Sequence, residues 1–376
     1  MKRCCLLYYF FLFTFTFLLQ RFAVAASAAD WRSEWEKLVK VAEKEGEIRI
    51  FGSDSHQDAA HAFQKAFPKI KVRFEPGAGR DFAPRVMAER RAGKYLVDIT
   101  MLGSATQFGV FYKAGVLDPI PPALFLPEVT DLSKWWQGRH HYADPEGKYI
   151  FINQGSVSAT LVAYNSSAVD PKELKSHTDL ISPKWKGKIV AWDPKRPGQI
   201  QNLKGLYFNP LLGPGFITKF YGETDVTLGS DARLIIDWLA KGKFFLYFMA
   251  RDRDIEEAKK QGLPVGLIDA PPQESYLSSA MGNIALFNKA PHPQTARLYL
   301  NWLFSREGQV QWQRATDANS LRTDIPKETI SHWRSVVPRE GVDYILTSLP
   351  QYSDVGPIVK VVDEALARKG KIAAPR

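Results

Sequence analysis

The alternation of short apolar strands, polar loops and amphipathic helices constrains the fold of this chain more than any other feature. Strand-like segments at Ile48–Phe51, Lys71–Phe74 and Val97–Met101 each run through a loop rich in Gly or Ser into a helical pattern. The helices are expected near 57–67, 82–92 and 107–114, after a first amphipathic helix at 31–45. This order predicts an α/β domain with a parallel sheet.

The loops after these strands form the first candidate site. In open parallel sheets, ligands bind beyond the carboxyl ends of the strands, so the three loops should meet at one rim. Gly and Ser allow backbone N–H groups to approach an anion, and helix N-termini favour negative charge. Arg80 adds a planar guanidinium, unless it points outward and caps a helix. The candidate ligand contacts here are Ser53, Asp54, Gly79, Arg80, Gly103 and Ser104.

A second α/β section follows an irregular stretch at 119–149. Its strands are expected at 158–164, 188–192, 244–248 and 265–268, and its helices near 232–240 and 254–261. Extended apolar segments flanked by Gly or Ser lie at Val157–Ala163 and Ser278–Ala285. We expect the chain to cross between two lobes there, outward at the first segment and back at the second.

The first 28 residues have the three-part pattern of a secretory signal. Lys2 and Arg3 precede an apolar run, Cys4–Leu19, and the small residues of Ala23–Ala28 follow. We expect cleavage after Ala25 or Ala28, with an uncleaved anchor as the alternative. Both cysteines would leave with this segment, which excludes disulfides, thiolate metal sites and a cysteine nucleophile from the mature chain. The mature protein is expected to be soluble in the periplasm, with no stable membrane insertion.

The charge balance is basic but scattered. The chain has 50 Lys and Arg against 40 Asp and Glu. Without Lys2, Arg3 and Arg21 the count is 47 against 40, which leaves +7. The excess lies among turn and helix-surface residues, which indicates solvated faces and no nucleic-acid partner. A modest positive field favours small anionic ligands.

The carboxyl-terminal third carries motifs that resemble a known family. Met281–Pro293, Ala296–Phe304 and Ser305–Gln309 are similar to the family 1 extracellular solute-binding proteins of ABC importers, in the branch usually labelled iron(III)-type. Upstream, Ala66–Pro68 and Lys113–Leu117 resemble the first lobe of the same family. The resemblance implies a periplasmic-binding-protein architecture of two α/β lobes with crossing hinge strands and a central interlobe cleft that closes on ligand.

The expected organisation follows from this resemblance. Residues 1–28 form the signal peptide, 29–157 with 282–310 form lobe 1, and 158–281 with 311–376 form lobe 2. The resemblance implies a binding protein without enzymatic activity or cofactor, monomeric, that delivers its small-molecule ligand to a membrane permease. A small organic acid, phosphonate or phosphorylated compound is the expected solute, and a sensing role beside a receptor stays open.

Further candidate contacts come from the second lobe and the crossings. Members of the family place ligand contacts after the strand that ends at Trp192, which implies Gly198 and Gln199. Arg251 follows another strand, although a solvated loop explains it nearly as well. Three more candidates lie at the crossings: Ser156, Ser158 and Tyr276.

The iron label of the branch is in doubt for this chain. Iron-binding members use two adjacent tyrosines, whereas the only Tyr-Tyr pair here, Tyr8-Tyr9, lies in the signal segment. Tyr247 is the one phenol left on the corresponding strand, and packing of its ring is the alternative. His56 is a weak metal candidate, and we expect the pair His140-His141 to lie in an exposed loop. Ferric iron or a ferric chelate therefore stays an alternative solute.

A secreted hydrolase is the rival from another functional class. The sequence has no nucleophile elbow, no pair of histidines with a glutamate on one helix, and no mature cysteine. These patterns mark the common hydrolase sites, so their absence favours a binding protein.

Overall fold

The computed structural model describes residues 31–196 and 199–373. These residues divide into two compact units. The first unit contains 31–153 and 281–331, and the second contains 154–280 and 332–373. The chain therefore passes between the units three times. The signal-like segment and Gly198 lie outside the described residues.

The strands are β1 (Glu47–Gly52), β2 (Lys71–Pro76), β3 (Ile99–Leu102), β4 (Leu117–Asp118), β5 (Ile150–Ile152), β6 (Ser156–Ser158), β7 (Leu161–Asn165), β8 (Ile189–Trp192), β9 (Val226–Gly229), β10 (Leu246–Ala250), β11 (Val265–Ile268), β12 (Tyr276–Ser278) and β13 (Asn283–Phe287). The helices are α1 (31–45), α2 (Gln57–Ala66), α3 (Gly79–Arg91), α4 (Ser104–Thr106), α5 (Pro127–Thr130), α6 (Gln199–Asn202), α7 (Lys204–Tyr207), α8 (Gly213–Gly222), α9 (Ala232–Ala240), α10 (Asp252–Lys260), α11 (Pro293–Phe304), α12 (Arg306–Thr316), α13 (Trp333–Val336) and α14 (Gly356–Ala373). Among the described residues, no helix is both long enough and apolar enough to span a membrane.

The sheet of the first unit has the order β2-β1-β3-β13-β4, with β5 also paired to β13. β1, β2 and β3 are parallel, as the alternating pattern predicts, whereas β13 runs antiparallel to β3. The sheet is therefore mixed. Fully buried aromatic rings of Phe63, Phe111, Phe151, Phe287 and Phe304 form much of its core. Each such side chain stabilises the fold by about 1.5–3 kcal/mol.

The sheet of the second unit has the order β11-β7-β10-β8-β9. β10, β8 and β9 are parallel, and β7 runs antiparallel to both of its neighbours. All the residues of β8 and β10 are buried. Phe248 on β10 packs against Phe220 of α8, with ring centroids 4.4 Å apart. β6 and β12 form a separate two-stranded ribbon.

Two local expectations differ from the structure. Residues 107–112 form a π-helix that continues α4, where the pattern indicated an ordinary helix. The pair His140-His141 is not in an exposed loop: His141 is buried and His140 is half-buried. Both imidazoles hydrogen-bond to backbone carbonyl oxygens, those of Val129 and Trp136, so they satisfy local backbone groups.

The expected lobe boundary at residue 310 falls inside α12. Trp312 on this helix is fully buried and packs its ring against His56, with centroids 4.8 Å apart. The chain after α12 stays in the first unit as far as residue 331. Arg322 holds it there, because its guanidinium donates to the carbonyl oxygen of Phe304 at 2.9 Å. The two units thus differ from the expected division at residues 154–157, 281 and 311–331.

Candidate functional site

Three loops of the first unit meet at one edge of its sheet. The strand register pairs Gly52 at the end of β1 with Pro76 of β2 and with Met101 of β3. The N–H of Gly77 donates to the carbonyl oxygen of Gly52 at 2.9 Å. We call residues 53–56, 77–80 and 103–106 the first rim, which gathers six of the candidate contacts predicted from the sequence.

Helices begin at all three loops of the first rim. Ser53, Ala78 and Gly103 occupy the positions just before the helical turns, and all three have extended backbone conformations. None of these three positions has a side-chain cap. The first N–H groups of a helix lack intrahelical acceptors, and the helix dipole favours negative charge at that end. The first rim therefore presents backbone donors suited to an anion.

Close packing fixes the relative positions of two of these helix starts. A Cβ at Gly79 would lie 2.3 Å from the hydroxyl oxygen of Thr106 and 2.9 Å from its Cβ. Only glycine lets the start of α3 approach α4 this closely. Sequence patterns do not reveal this role for Thr106, because the contact joins loops that are separate in the chain.

The charges of the first rim are of both signs. The side chain of Arg80 is 86 % exposed, and its Nε lies 3.7 Å from Asp81 Oδ1. Arg85, one turn further along α3, instead donates to Glu75 at 2.5 Å. Asp54 is exposed at the same edge. The guanidinium of Arg80 is thus available to a solute, in a setting where neighbouring carboxylates limit the positive field.

A buried polar layer lies beneath the first rim. The side-chain amide of Gln107 donates to the carbonyl oxygens of Thr100 and Asn283, at 3.1 and 2.9 Å. His56 is 2 % exposed, and burial lowers the pKa of its imidazole to about 4, with a hydrogen bond to the backbone of Met101 opposing the shift. His56 is therefore neutral at pH 7. Its enclosure between the sheet and Trp312 supports a packing role over metal ligation.

A second set of loops lies at the carboxyl ends of β10, β8 and β9 in the second unit. We call residues 193–196, 199, 229–231 and 251–254 the second rim, within which the N–H of Asp193 donates to the carbonyl oxygen of Gly229 at 2.9 Å. Arg251 is exposed, and its guanidinium carbon lies 5.7 Å from the ring centroid of Trp192. Asp254 accepts a hydrogen bond from its Nε at 2.6 Å. Gln199 starts α6.

The backbone before Arg251 is strained. Met249 has a φ of 65°, a left-handed conformation that costs a residue with a side chain about 1–3 kcal/mol. The pairing of β10 with β7 shifts register between Phe248 and Ala250 at this point. The bulge turns the chain toward the second rim. Sequence patterns do not reveal it, since Met carries no preference for positive φ.

The three candidates at the crossings lie together in the β6–β12 ribbon. Ser158 pairs with Tyr276, and Ser156 pairs with Ser278. Burial raises the pKa of the Tyr276 phenol, and its hydrogen bond with Ser158 opposes the shift. The ring of Tyr276 lies over Gly205, where a Cβ would come within 2.0 Å of it. Sequence analysis missed Gly205, which makes room for this ring.

The remaining metal candidate is buried. Tyr247 is 0 % exposed in the middle of β10, and burial raises the pKa of its phenol well above the usual value. A phenolate is therefore costly here, which supports the packing interpretation. Among the described residues no three His, Cys, Asp or Glu side chains are grouped to hold a metal ion.

Comparisons with known proteins identify relatives of this chain. A family model described as bacterial extracellular solute-binding protein matches residues 58–331. Three solved structures match this chain over nearly all of their own length. A Trichodesmium protein in complex with iron and citrate ligands has a TM-score of 0.56 and 19% identity, and the match covers 87% of this chain and 99% of that one. A ferric binding protein from Campylobacter jejuni has a TM-score of 0.55 and 16% identity, and the match covers 85% of this chain and 99% of that one. A spermidine/putrescine ABC transporter substrate-binding protein from Streptococcus pneumoniae has a TM-score of 0.58 and 13% identity, and the match covers 86% of this chain and 98% of that one.

At these identities the likeness shows the fold alone. The α/β fold of two-lobed periplasmic binding proteins, which the sequence predicted, is confirmed. The names of these proteins mention iron with citrate in one case and polyamines in another, so proteins of this fold are named for chemically different solutes.

Proposed function

This chain belongs to the family of bacterial extracellular solute-binding proteins, and we propose that it captures a small anionic solute and delivers it to the permease of an ABC importer. Proteins of this family bind solutes and are not enzymes, so a secreted hydrolase is no longer a rival. We further propose that it acts as a periplasmic monomer, with uptake rather than sensing as its role.

One observation carries the choice of an anion. Three helix starts without side-chain caps meet at the first rim, beside an exposed Arg80. Backbone N–H groups and a guanidinium are all donors, and together they suit the oxygens of a carboxylate, phosphonate or phosphate. Each hydrogen bond contributes about 0.5–1.5 kcal/mol, and about twice that when one partner is charged, so several must converge for useful affinity.

The candidate contacts of the second unit add to this proposal. Arg251 at the second rim is a second exposed guanidinium, held near Trp192 and Asp254. Tyr276 and Ser158 offer hydroxyl groups on the β6–β12 ribbon. We propose that Arg251, Gln199, Ser156, Ser158 and Tyr276 contact the solute. Closure of the two units on the solute is part of the proposal, and the radius of gyration with and without solute measures it.

A ferric chelate is a second candidate solute. The similarity to a Trichodesmium protein in complex with iron and citrate favours it. In this chain the buried Tyr247 and the lack of a grouped ligand set in the described residues argue against a site for bare Fe³⁺. Citrate carboxylates offer the same chemistry as any other organic anion, so a chelate would use the first rim as well.

A thermal-shift screen tests the proposed solute class. A solute at 100 times its dissociation constant stabilises the folded protein by about 2.7 kcal/mol. We expect citrate, ferric citrate, a phosphonate or a sugar phosphate to raise the melting temperature, and glucose, spermidine and Ca²⁺ to leave it unchanged. A rise with the neutral sugar or the cations alone would reject the anion proposal.

A pair of variants on one helix then tests the site. Arg80→Ala removes the exposed guanidinium, and we expect a loss of about tenfold or more in affinity for the stabilising anion. Arg85→Ala removes the same charge from a side chain already bound to Glu75, so it serves as the matched control. Equal losses in both variants would show a general charge effect instead of a contact at Arg80.

A further inference from the structure

A buried ion pair lies apart from the residues discussed so far, in the second unit. The Nδ1 of His177 is 2.6 Å from Glu274 Oε2, and its Nε2 is 2.7 Å from the carbonyl oxygen of Thr160. The side chains of His177 and Glu274 are 3 % and 6 % exposed. The pair therefore links three separate stretches of chain away from solvent.

The partners of His177 define its protonation state. A carbonyl oxygen and a carboxylate oxygen accept hydrogen bonds, whereas a neutral imidazole has only one N–H to donate. At 2.7 Å, Nε2 must donate to the carbonyl oxygen of Thr160, and at 2.6 Å Nδ1 donates as well when Glu274 is ionised. Two donors on one ring require the imidazolium form.

Glu274 is arranged as the matching anion. Its Oε2 also accepts from the backbone N–H of His177 at 2.8 Å, and its Oε1 accepts from the hydroxyl of Ser176. Burial alone raises the pKa of Glu274, but the hydrogen bonds from His177 and Ser176 outweigh burial and hold the pKa below its usual value. The proton of the pair therefore resides on the histidine.

We propose that His177 is a buried imidazolium that positions the β6–β12 ribbon. Thr160 lies two residues after β6, and Glu274 lies two residues before β12. One cation thus holds the segments next to both strands. His177 acts through these neighbours on Ser158 and Tyr276, so it is a positioning residue. An effect of His177 on solute affinity, through Ser158 and Tyr276, rests on the proposed function. The charge of His177 and its positioning of the ribbon do not.

The surroundings of the ring contain few other charges. Asp269, after β11, lines the same small cavity as His177. Asp179, in the 3-10 helix His177–Ile181, accepts from the backbone N–H groups of Lys175 and Ser176. From the other elements the ring meets Phe216 of α8 and Phe248 of β10, with centroids 6.2 and 6.3 Å away. The exposed carboxylate of Asp269, on the same cavity, favours the imidazolium.

Nitrogen NMR of the intact protein without any solute tests the charge. We expect both ring nitrogens of His177 to resonate close together at neutral pH, as protonated nitrogens do. A neutral ring at neutral pH in the wild type overturns the proposal, and this result needs no variant to fold.

Amide hydrogen exchange tests the positioning. In His177→Gln we expect exchange at Ser156–Ser158 and Tyr276–Ser278 to rise about tenfold or more, while Val226–Gly229 in β9 stays unchanged. His332→Gln removes an exposed histidine of the same unit and should leave both sets unchanged. An unchanged ribbon, or an equal rise in the ribbon and in β9, would overturn the positioning role. Neither measurement uses a solute, so failure of the anion proposal would leave both interpretable.

Discussion

At the scale of single residues, burial changes what a side chain can do. His56 and His141 are exposed to solvent by only 2 and 3 %, and burial lowers the pKa of each imidazole from 6.5 to about 4. Both are therefore neutral packing residues at pH 7. From sequence, a histidine after a strand suggests a ligand contact. The packing that buries the side chain comes from distant residues, so a local sequence pattern does not reveal it.

These histidines predict acid sensitivity of the first unit. Between pH 6.5 and 4 the unfolded chain binds protons that the folded chain excludes, so the free energy of unfolding falls as the pH falls through this range. A shift from 6.5 to about 4 corresponds to roughly 3 kcal/mol for His56.

The variant His56→Gln isolates that contribution. Urea unfolding across pH 4–7 measures how the free energy of unfolding changes with pH. In His56→Gln this slope should be shallower than in the wild type, by an amount that corresponds to the uptake of about one proton on unfolding. The absolute stability of the variant can change without affecting this slope. Identical slopes in the two proteins would show that His56 does not titrate in the unfolding reaction.

At the scale of elements, local patterns were sufficient for most helices and strands and insufficient for their long-range geometry. The strands β1, β2 and β3 and their parallel order followed from alternation and spacing. The antiparallel direction of β13 did not, because its partner β3 is distant in sequence. The π-helix 107–112 begins at Gln107, whose side-chain amide donates to the carbonyl oxygen of Thr100 in β3. The periodicity of the sequence does not reveal this contact.

The same distinction applies to the candidate site. Convergence of the loops at the first rim was predictable, because the carboxyl ends of adjacent parallel strands must meet. The partners that shape the site were not predictable: Thr106 beside Gly79, and Gly205 beneath Tyr276, are contacts between separate segments. Whether the site residues bind solute stays a prediction.

Packing at the start of α3 leads to a prediction for Gly79. Gly79→Ala places a methyl group 2.3 Å from the Thr106 hydroxyl, and overpacking of this kind costs about 1–3 kcal/mol. Gly109→Ala, in the neighbouring π-helix, meets nothing within 4 Å and serves as the control. Chemical denaturation measures both. Adding Thr106→Gly should restore much of the lost stability, and a double variant no better than Gly79→Ala would refute the steric explanation.

At the scale of the whole molecule, three chain passages divide the sequence between two compact units. The passage at 280/281 lies inside the expected segment Ser278–Ala285, whereas the passage at 153/154 precedes the expected segment Val157–Ala163. The placement of 311–331 was not expected, because polar contacts rather than an apolar pattern decide it. Arg322 is 1 % exposed and donates to Glu128 and Asp324, at 3.1 and 2.7 Å, within the first unit. Lys327 adds hydrogen bonds to the carbonyl oxygens of Ser320 and Arg322.

Removal of the buried guanidinium should therefore destabilise the first unit. Arg322→Ala leaves the carbonyl oxygen of Phe304 without its donor, and an unsatisfied buried polar group of this kind costs about 1–3 kcal/mol. Arg314→Ala removes the same charge from an exposed position on α12 and should change stability by less than about 0.5 kcal/mol. Hydrogen exchange should show the loss of protection in β1–β3 of the first unit. A loss confined to β8–β10 of the second unit would contradict the assignment of 311–331.

Amide NMR during titration with citrate and inorganic phosphate is the most direct test of the central claim, that helix starts at the first rim bind an anion. The account predicts that the largest shifts of the first unit occur at residues 53–57, 78–81 and 103–106, and that spermidine gives none there. Shifts elsewhere in the unit with the first rim unchanged, or a response of the first rim to spermidine alone, would contradict it.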